Sequence, residues 1–286
     1  LALNVLYAGE AHILDGELVN TNDLGQKYFS FTMTAPLTGE SFDYRFVSET
    51  GELSKTYTCP LTRRRRLPFV GSCRCENGIW AAFGTDTLEV GLKIELFPCI
   101  RLIFTTNFNV KINYKSELHE QFEPNYEIVR EDGQLRLSKD GRTLFEAADE
   151  IEVRVSGGKV IELSFGLRLP GRAAYGFGEK FDRVDQAGLK PLNYVVEQYS
   201  HQQDKSYMPV PFMFTDAGVS FLQTGYSRSQ FDLSRGSDGK LLSADISCSC
   251  PEGDVIYEAV INEGTPAELI RAYAEETGYP SLPPEW

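Results

Sequence analysis

Glu150-Ile-Glu-Val-Arg-Val-Ser-Gly-Gly-Lys-Val-Ile-Glu-Leu-Ser-Phe-Gly-Leu-Arg-Leu-Pro170 is the stretch that decides the fold class. Ile151, Val153 and Val155 alternate with Glu152, Arg154 and Ser156. After Gly157-Gly158 the alternation resumes through Ile161, Leu163, Phe165, Leu167 and Leu169. A period of two sends successive side chains to opposite faces, so each run is a strand with one dry and one wet face. Gly-Gly between two such runs predicts a tight hairpin turn, because glycine adopts positive φ without a steric penalty.

The same grammar extends along the chain. Leu88, Val90, Leu92, Ile94 and Leu96 alternate with Glu89, Gly91, Lys93 and Glu95, and Tyr28–Thr34 reads as a shorter strand. Asp132-Gly133, Asp140-Gly141 and Asp238-Gly239 are favoured two-residue turns. Many strands, tight turns and few helical stretches predict an all-β protein, a large antiparallel β-sandwich over residues 1–264. One helix is expected near the end, at Thr265–Thr277. Thr265 and Glu268 fit a capping box, Pro266 suits the first turn, and Gly278 and Pro280 end it. Residues 265–286 are therefore a short C-terminal helix followed by a proline-rich strap, Tyr279-Pro-Ser-Leu-Pro-Pro-Glu-Trp286.

Composition narrows the function. The 286 residues carry 28 Lys+Arg against 41 Asp+Glu, a net charge of -13. A polyanion is repelled on average, which argues against nucleic acid as a partner. No apolar run approaches the ~20 residues that span a bilayer as a helix, so no membrane role is expected. Arg63-Arg64-Arg65-Arg66 is the local exception, read as a solvated loop or strand edge. The cysteines Cys59, Cys73, Cys75, Cys99, Cys248 and Cys250 do not have the spacing of a disulfide framework. Structural zinc sites prefer C-x₂₋₄-C, so Cys73-Arg-Cys75 and Cys248-Ser-Cys250 read first as small apolar residues on one strand face. No cofactor is expected, and a reducing, cytoplasmic setting follows. The first residue is Leu1 and no secretion signal follows it, which suggests a processed form or an excised piece.

The search for reactive groups returns little. His12, His119 and His201 are scattered without metal spacing, and there is neither a G-x-S-x-G elbow nor a P-loop. Glu179, Asp182 and Asp185 cluster, but a glycosidase needs two carboxyls facing each other at roughly 5 to 9.5 Å. The preferred reading is that Glu179 and Asp182 tie down a loop. Tyr175, Phe177, Phe181, Tyr194, Tyr199, Tyr207, Phe212 and Phe214 crowd one stretch, with Asn193, Glu197, Gln198, Gln202 and Gln203 among them. Sugars stack on aromatic faces and hydrogen-bond to such polar groups. Phe212 and Phe214 read as core, whereas the loop Leu192–Lys205 fits either a core edge or a sugar contact.

Tyr175-Gly-Phe-Gly-Glu-Lys-Phe181 resembles the Y-G-x-G-E-[KR]-F element of glycoside hydrolase family 31, which includes α-glucosidases, α-xylosidases and sulfoquinovosidases. Further elements follow in the family's order: Asn193, Tyr207-Met-Pro-Val-Pro-Phe212, Thr215–Leu222, and Gly264-Thr-Pro through Leu282-Pro-Pro-Glu-Trp286. Residues 1 to about 174 are similar to the family in strand pattern alone.

The resemblance implies a galactose-mutarotase-like sandwich whose strap leads into a (β/α)₈ barrel of ~250 residues. In the family two barrel Asp residues perform catalysis with retention. This chain ends at the strap, so the resemblance assigns it no catalytic residue, and its expected partners are the barrel and a carbohydrate substrate. A loop over Leu192–Tyr207 is expected to reach the sugar. Relatives often carry Trp-Asn-x-Asp there, and Val195 stands in place of that Asp. Asn193, Glu197 and Gln198 are the expected substrate-binding residues, by hydrogen bonding. A face including Tyr279, Leu282 and Trp286 is expected to favour self-association without the barrel. The alternative is a free-standing carbohydrate-binding or mutarotase-like sandwich, for which His201 would be the acid/base candidate.

Overall fold

The computed structural model describes residues 2–7, 10–31, 41–47, 50–112, 118–196, 206–225, 227–235 and 240–281. The chain divides into two compact units, residues 1–64 with 154–159 and residues 65–153 with 160–286.

In the first unit, strands β1 (Ala2–Tyr7), β2 (Glu10–Asp15), β3 (Glu17–Thr21), β4 (Lys27–Ser30), β5 (Ser41–Val47) and β6 (Tyr57–Pro60) follow in order. An antiparallel sheet has the order β2-β1-β5-β6, and β3 pairs with β4. Alternation on β1 buries Leu3 and Val5, which pack with Leu14, Phe42, Tyr44, Phe46 and Leu61. The ring of Tyr44 stacks on Tyr57 at 5.4 Å. The strand expected at Tyr28–Thr34 is observed as Lys27–Ser30, and residues 32–40 lie outside those described.

The second unit holds the remaining strands apart from residues 62–64, 154–156 and 159. They are β7 (Thr62–Cys75), β8 (Gly78–Thr85), β9 (Leu88–Glu95), β10 (Ile100–Thr105), β11 (Leu118–Phe122), β12 (Tyr126–Glu131), β13 (Gln134–Lys139) and β14 (Arg142–Ala148). Then come β15 (Glu150–Ser156), β16 (Lys159–Pro170), β17 (Ala174–Gly176), β18 (Leu192–Asn193) and β19 (Phe212–Thr215). The last are β20 (Val219–Thr224), β21 (Ser229–Arg235), β22 (Leu241–Ser249) and β23 (Val255–Glu263), before helix α1 (Pro266–Thr277).

Antiparallel pairing builds two large sheets. One runs β7-β8-β9-β10-β23-β20-β19-β17. The other runs β11-β12-β13-β14-β16-β22-β21-β18. Their inner faces meet through aromatic rings. Phe165 of β16 lies 4.7 Å from Phe104 of β10 and 5.1 Å from Tyr257 of β23. Phe231 of β21 meets Phe221 of β20 at 5.9 Å. This is the all-β sandwich that the alternation predicts.

Local chemistry explains the register. On β9, Val90, Leu92 and Ile94 are buried, and Leu96 continues the face. On β16, Leu163, Phe165, Leu167 and Leu169 point inward, but Val160 is buried and Ile161 only half-buried, so the inward phase begins at Leu163. The turns use the expected conformations: Asp132-Gly133, Asp140-Gly141 and Gly157-Gly158 all have φ between 49° and 75°. Two consecutive positive φ values fit the hairpin turn whose twist matches the strands. Asp238-Gly239 lies outside the described residues.

Helix α1 is capped as its sequence requires. Thr265 N–H donates to Glu268 Oε2 at 2.8 Å, and the Glu268 N–H donates to Thr265 Oγ1 at 3.4 Å. Gly278 N–H closes the other end on Ala274 O at 2.8 Å. Leu269 is fully buried, and Tyr273 packs on Phe212 at 4.7 Å. Arg101 of β10 bridges Glu258 of β23 at 2.6 Å and Glu276 of the helix at 2.8 Å, which pins the helix against the sheet. The Thr265 amide and hydroxyl hold the Glu268 carboxyl below its ordinary value of 4.5. A depressed folded value means that this contribution is present above the unfolded pKa and is lost as pH falls through the folded one. We expect Thr265→Ala to cost about 1 kcal/mol at neutral pH. The difference from wild type in urea melts should shrink as pH drops below about 4.

Candidate functional site

The segment after β17 is built on backbone that few side chains tolerate. Gly176, Phe177 and Gly178 have φ of 124°, 66° and 79°. Positive φ is expected of glycine but is a true outlier for a bulky residue such as Phe177. The surroundings hold it there. Phe177 N–H donates to Phe212 O at 2.8 Å, and its buried ring meets Phe231 edge-on at 5.0 Å. A Cβ on Gly178 would lie 2.8 Å from Val210 N and nearer still to Met208 O. The glycines of the Y-G-x-G element therefore let this segment lie directly against residues 208–213.

Its acids fix the loop that follows. Asp185 Oδ1 accepts from the amides of Ala174 at 3.1 Å and Ala187 at 3.0 Å. Asp182 Oδ1 accepts from Arg183 N–H at 2.6 Å and from Gln186 Nε2 at 3.2 Å. Arg183 in turn donates to Ala187 O. These contacts are those of a tied-down loop, as expected for Asp182. Glu179 is different. It is exposed, and it pairs with the hydroxyl of Tyr207, whose proton the carboxylate holds above the ordinary tyrosine value.

Of the three expected substrate-binding residues, Asn193 is described and Glu197 and Gln198 lie outside the described residues, as does His201. Asn193 sits on β18 opposite Ser229 of β21. Its Nδ2 reaches Ser227 O at 3.4 Å and Ser229 Oγ at 3.3 Å. Gln223 Nε2 donates to the same Ser227 carbonyl at 2.8 Å. Lys180 Nζ reaches Leu192 O at 3.5 Å, and the Arg228 guanidinium lies 4.7 Å from the centre of the exposed Tyr194 ring. Val195 bridges Ser206, and Val196 N–H donates to Ser206 O at 3.0 Å. Val195 and Val196 thus pair with Ser206 through the backbone, close to Asn193 in sequence.

A cavity of about 610 Å³ is lined by Thr224, Ser227, Ser249, Cys250, Tyr257 and Glu258, so Ser227 belongs both to its rim and to the Asn193 contacts. A hydrogen bond with Cys250, then burial, pushes the Cys248 thiol far up, and burial raises Cys73 and Cys75. Raised thiols resist forming the thiolate that metal binding and nucleophilic attack require. Among the described residues, no group of three or more His, Cys, Asp or Glu side chains could hold a metal ion. What this region offers is hydrogen bonding and stacking. The sequence had no signal for the pairing of Phe181 with Tyr207, whose rings lie 6.4 Å apart, because 25 residues of chain separate them.

Residues 100–232 match the family model described as the Glycosyl hydrolase 31 N-terminal galactose mutarotase-like domain. An isomaltosyltransferase of Sporosarcina globispora is 29% identical over 113 residues, covering 39% of this chain and 10% of that protein. A 1,3-alpha-isomaltosidase of Kribbella flavida is 28% identical over 142 residues, covering 48% and 19%. In fold, the chain is similar to the cycloalternan-forming enzyme of Listeria monocytogenes, solved in complex with a pentasaccharide substrate. The TM-score is 0.71 and the identity 15%, over 99% of this chain and 29% of that one. The chain thus spans well under half the length of each of these relatives.

Proposed function

We propose that this chain, whose residues 100–232 match the model of the glycosyl hydrolase 31 N-terminal galactose mutarotase-like domain, is the non-catalytic N-terminal part of a retaining α-glycosidase acting on O-glycosyl bonds of carbohydrates. The family match is the observation that carries this reading, and the ordered elements from Tyr175 to Trp286 agree with it. Residues 1–264 serve as the sandwich portion, and residues 265–286 lead into a (β/α)₈ barrel that supplies nucleophile and acid/base. The sandwich packs on that barrel and lends the loop of residues 192–207 to its mouth. Two relatives are named for isomaltosyl chemistry, so α-linked gluco-oligosaccharides are the substrate class we infer. The working compartment is the cytoplasm. Without the barrel, the exposed Ile270 and Tyr279 favour self-association.

Asn193, Glu197 and Gln198 bind substrate hydroxyls in this reading and break no bond. In a protein extended through the barrel, Glu197→Ala and Gln198→Ala should each lower kcat/KM about tenfold while kcat stays within about threefold. Steady-state kinetics on isomaltose would check it. A variant whose kcat falls a thousandfold with KM unchanged would place a reacting group in this loop and contradict the assignment.

A further inference from the structure

Six exposed large hydrophobic side chains fall between residues 181 and 208: Phe181, Val184, Tyr194, Val195, Tyr207 and Met208. Three backbone contacts gather their segments. Glu179 N–H donates to Met208 O at 3.2 Å, Val196 N–H donates to Ser206 O, and Val195 bridges Ser206. Of these, Phe181 and Tyr207 are in ring contact and Met208 adjoins them in sequence, and an exposed apolar group of this kind marks an interaction surface.

The middle of the cluster has a definite chemistry. Phe181 and Tyr207 are 52% and 45% exposed, and their rings are inclined by only 30° at 6.4 Å. Two rings at a shallow angle make a broad apolar shelf instead of an edge-on core contact. At its rim Glu179, whose N–H is held by Met208 O at 3.2 Å, sets its carboxylate beside the Tyr207 hydroxyl. A carboxylate has about four acceptor sites, so it has capacity for the hydroxyls of a ligand as well. A pyranose matches both features, with an apolar C–H face for the rings and an edge of hydroxyl donors for the carboxylate.

We propose that Phe181, Tyr207 and Glu179 form a sugar-binding platform for a glucose unit of an α-linked oligosaccharide, in addition to the contacts assigned to Asn193, Glu197 and Gln198. The proposal rests on the carbohydrate reading above and adds a second contact to it. Phe181 and Tyr207 stack on the sugar face, and Glu179 orients the sugar through its hydroxyls while fixing the Tyr207 ring.

Saturation-transfer NMR of the 286-residue chain with isomaltose tests it. Wild type should saturate the sugar C–H protons. Phe181→Ala and Tyr207→Ala should each weaken binding about tenfold, equal to about 1.4 kcal/mol. Tyr207→Phe should keep most of the affinity. Melting temperatures should stay at the wild-type value, since these rings are exposed. A control at an exposed apolar residue elsewhere in the chain, Leu24→Ala, should keep binding within about twofold. No saturation with wild type, or unchanged affinity in both ring variants, overturns the platform. If both ring variants bind as wild type while Glu197→Ala with Gln198→Ala loses binding, the platform falls and the substrate-loop reading stands. If the ring variants spare sugar binding but weaken association with the separately produced remainder of the enzyme, the cluster is a protein interface and the platform is likewise overturned.

Discussion

Gly178→Ala is expected to destabilise the chain by about 4 kcal/mol or more, and Gly176→Ala by a similar amount. Two penalties add. A non-glycine residue at φ 79° or 124° carries a backbone cost of about 1–2 kcal/mol. The new Cβ also meets backbone that cannot rotate away. At Gly178 the obstacles are Met208 O and Val210 N, and at Gly176 they are Phe212 O and the Met213 Cα. Moving those atoms breaks the contact that seats Phe177 against Phe231. Gly225 separates the two penalties, because its φ is 84° but nothing lies within 4 Å of a Cβ there. Gly225→Ala should therefore cost only about 1 kcal/mol. Urea midpoints of the three variants check this. Equal losses at Gly178 and Gly225 would mean that the close approach of the two segments has no energetic weight.

Phe165→Ala should cost about 3–5 kcal/mol. The ring is 6% exposed and touches partners from the opposite sheet, Phe104 at 4.7 Å and Tyr257 at 5.1 Å. Its removal leaves a hole between two rigid, hydrogen-bonded sheets, which close up poorly. Phe165→Leu keeps most of the volume and should cost under about 1.5 kcal/mol. Phe181→Ala removes the same side chain from the surface and should change stability by less than about 0.5 kcal/mol. A domain of this kind is stable by about 5–15 kcal/mol, so Phe165→Ala uses up a large part of that margin. Thermal and urea melts of the three variants check the order. An Ala loss of about 0.5 kcal/mol or less at Phe165 would mean that its ring does not join the sheets.

The all-β class was legible because local physics determines it. Alternation on β9 and β16 sets which face is dry, and Asp-Gly and Gly-Gly force the turns whose positive φ the structure shows. Helix α1 was legible for the same reason, since its capping box uses atoms three residues apart. What was hidden depends on long separations. Nothing in the alternation of Leu3 and Val5 announces that residues 1–64 make a unit with residues 154–159. On β16 the dry face runs from Leu163, whose cross-strand partner is Cys248, whereas the alternation alone starts it at Ile161.

The candidate site was partly legible. The Tyr175–Phe181 element was legible as a motif, although its glycines act through close packing against residues 208–213, which the motif alone does not show. Asn193 was singled out from its motif position, while its contacts to Ser227 and Ser229 follow from β21 lying beside β18. The pairing of Glu179 and Phe181 with Tyr207 joins residues far apart in sequence and needed coordinates to be seen.

The central claim is that this chain shapes a sugar site without the groups that cleave the bond. Its most direct measurement is the release of p-nitrophenol from p-nitrophenyl α-glucoside, comparing the 286-residue chain with a protein extended through the barrel. The extended protein should turn over, and the chain alone should release p-nitrophenol at the rate of buffer. Turnover by the chain alone that survives purification to constant specific activity would contradict the account.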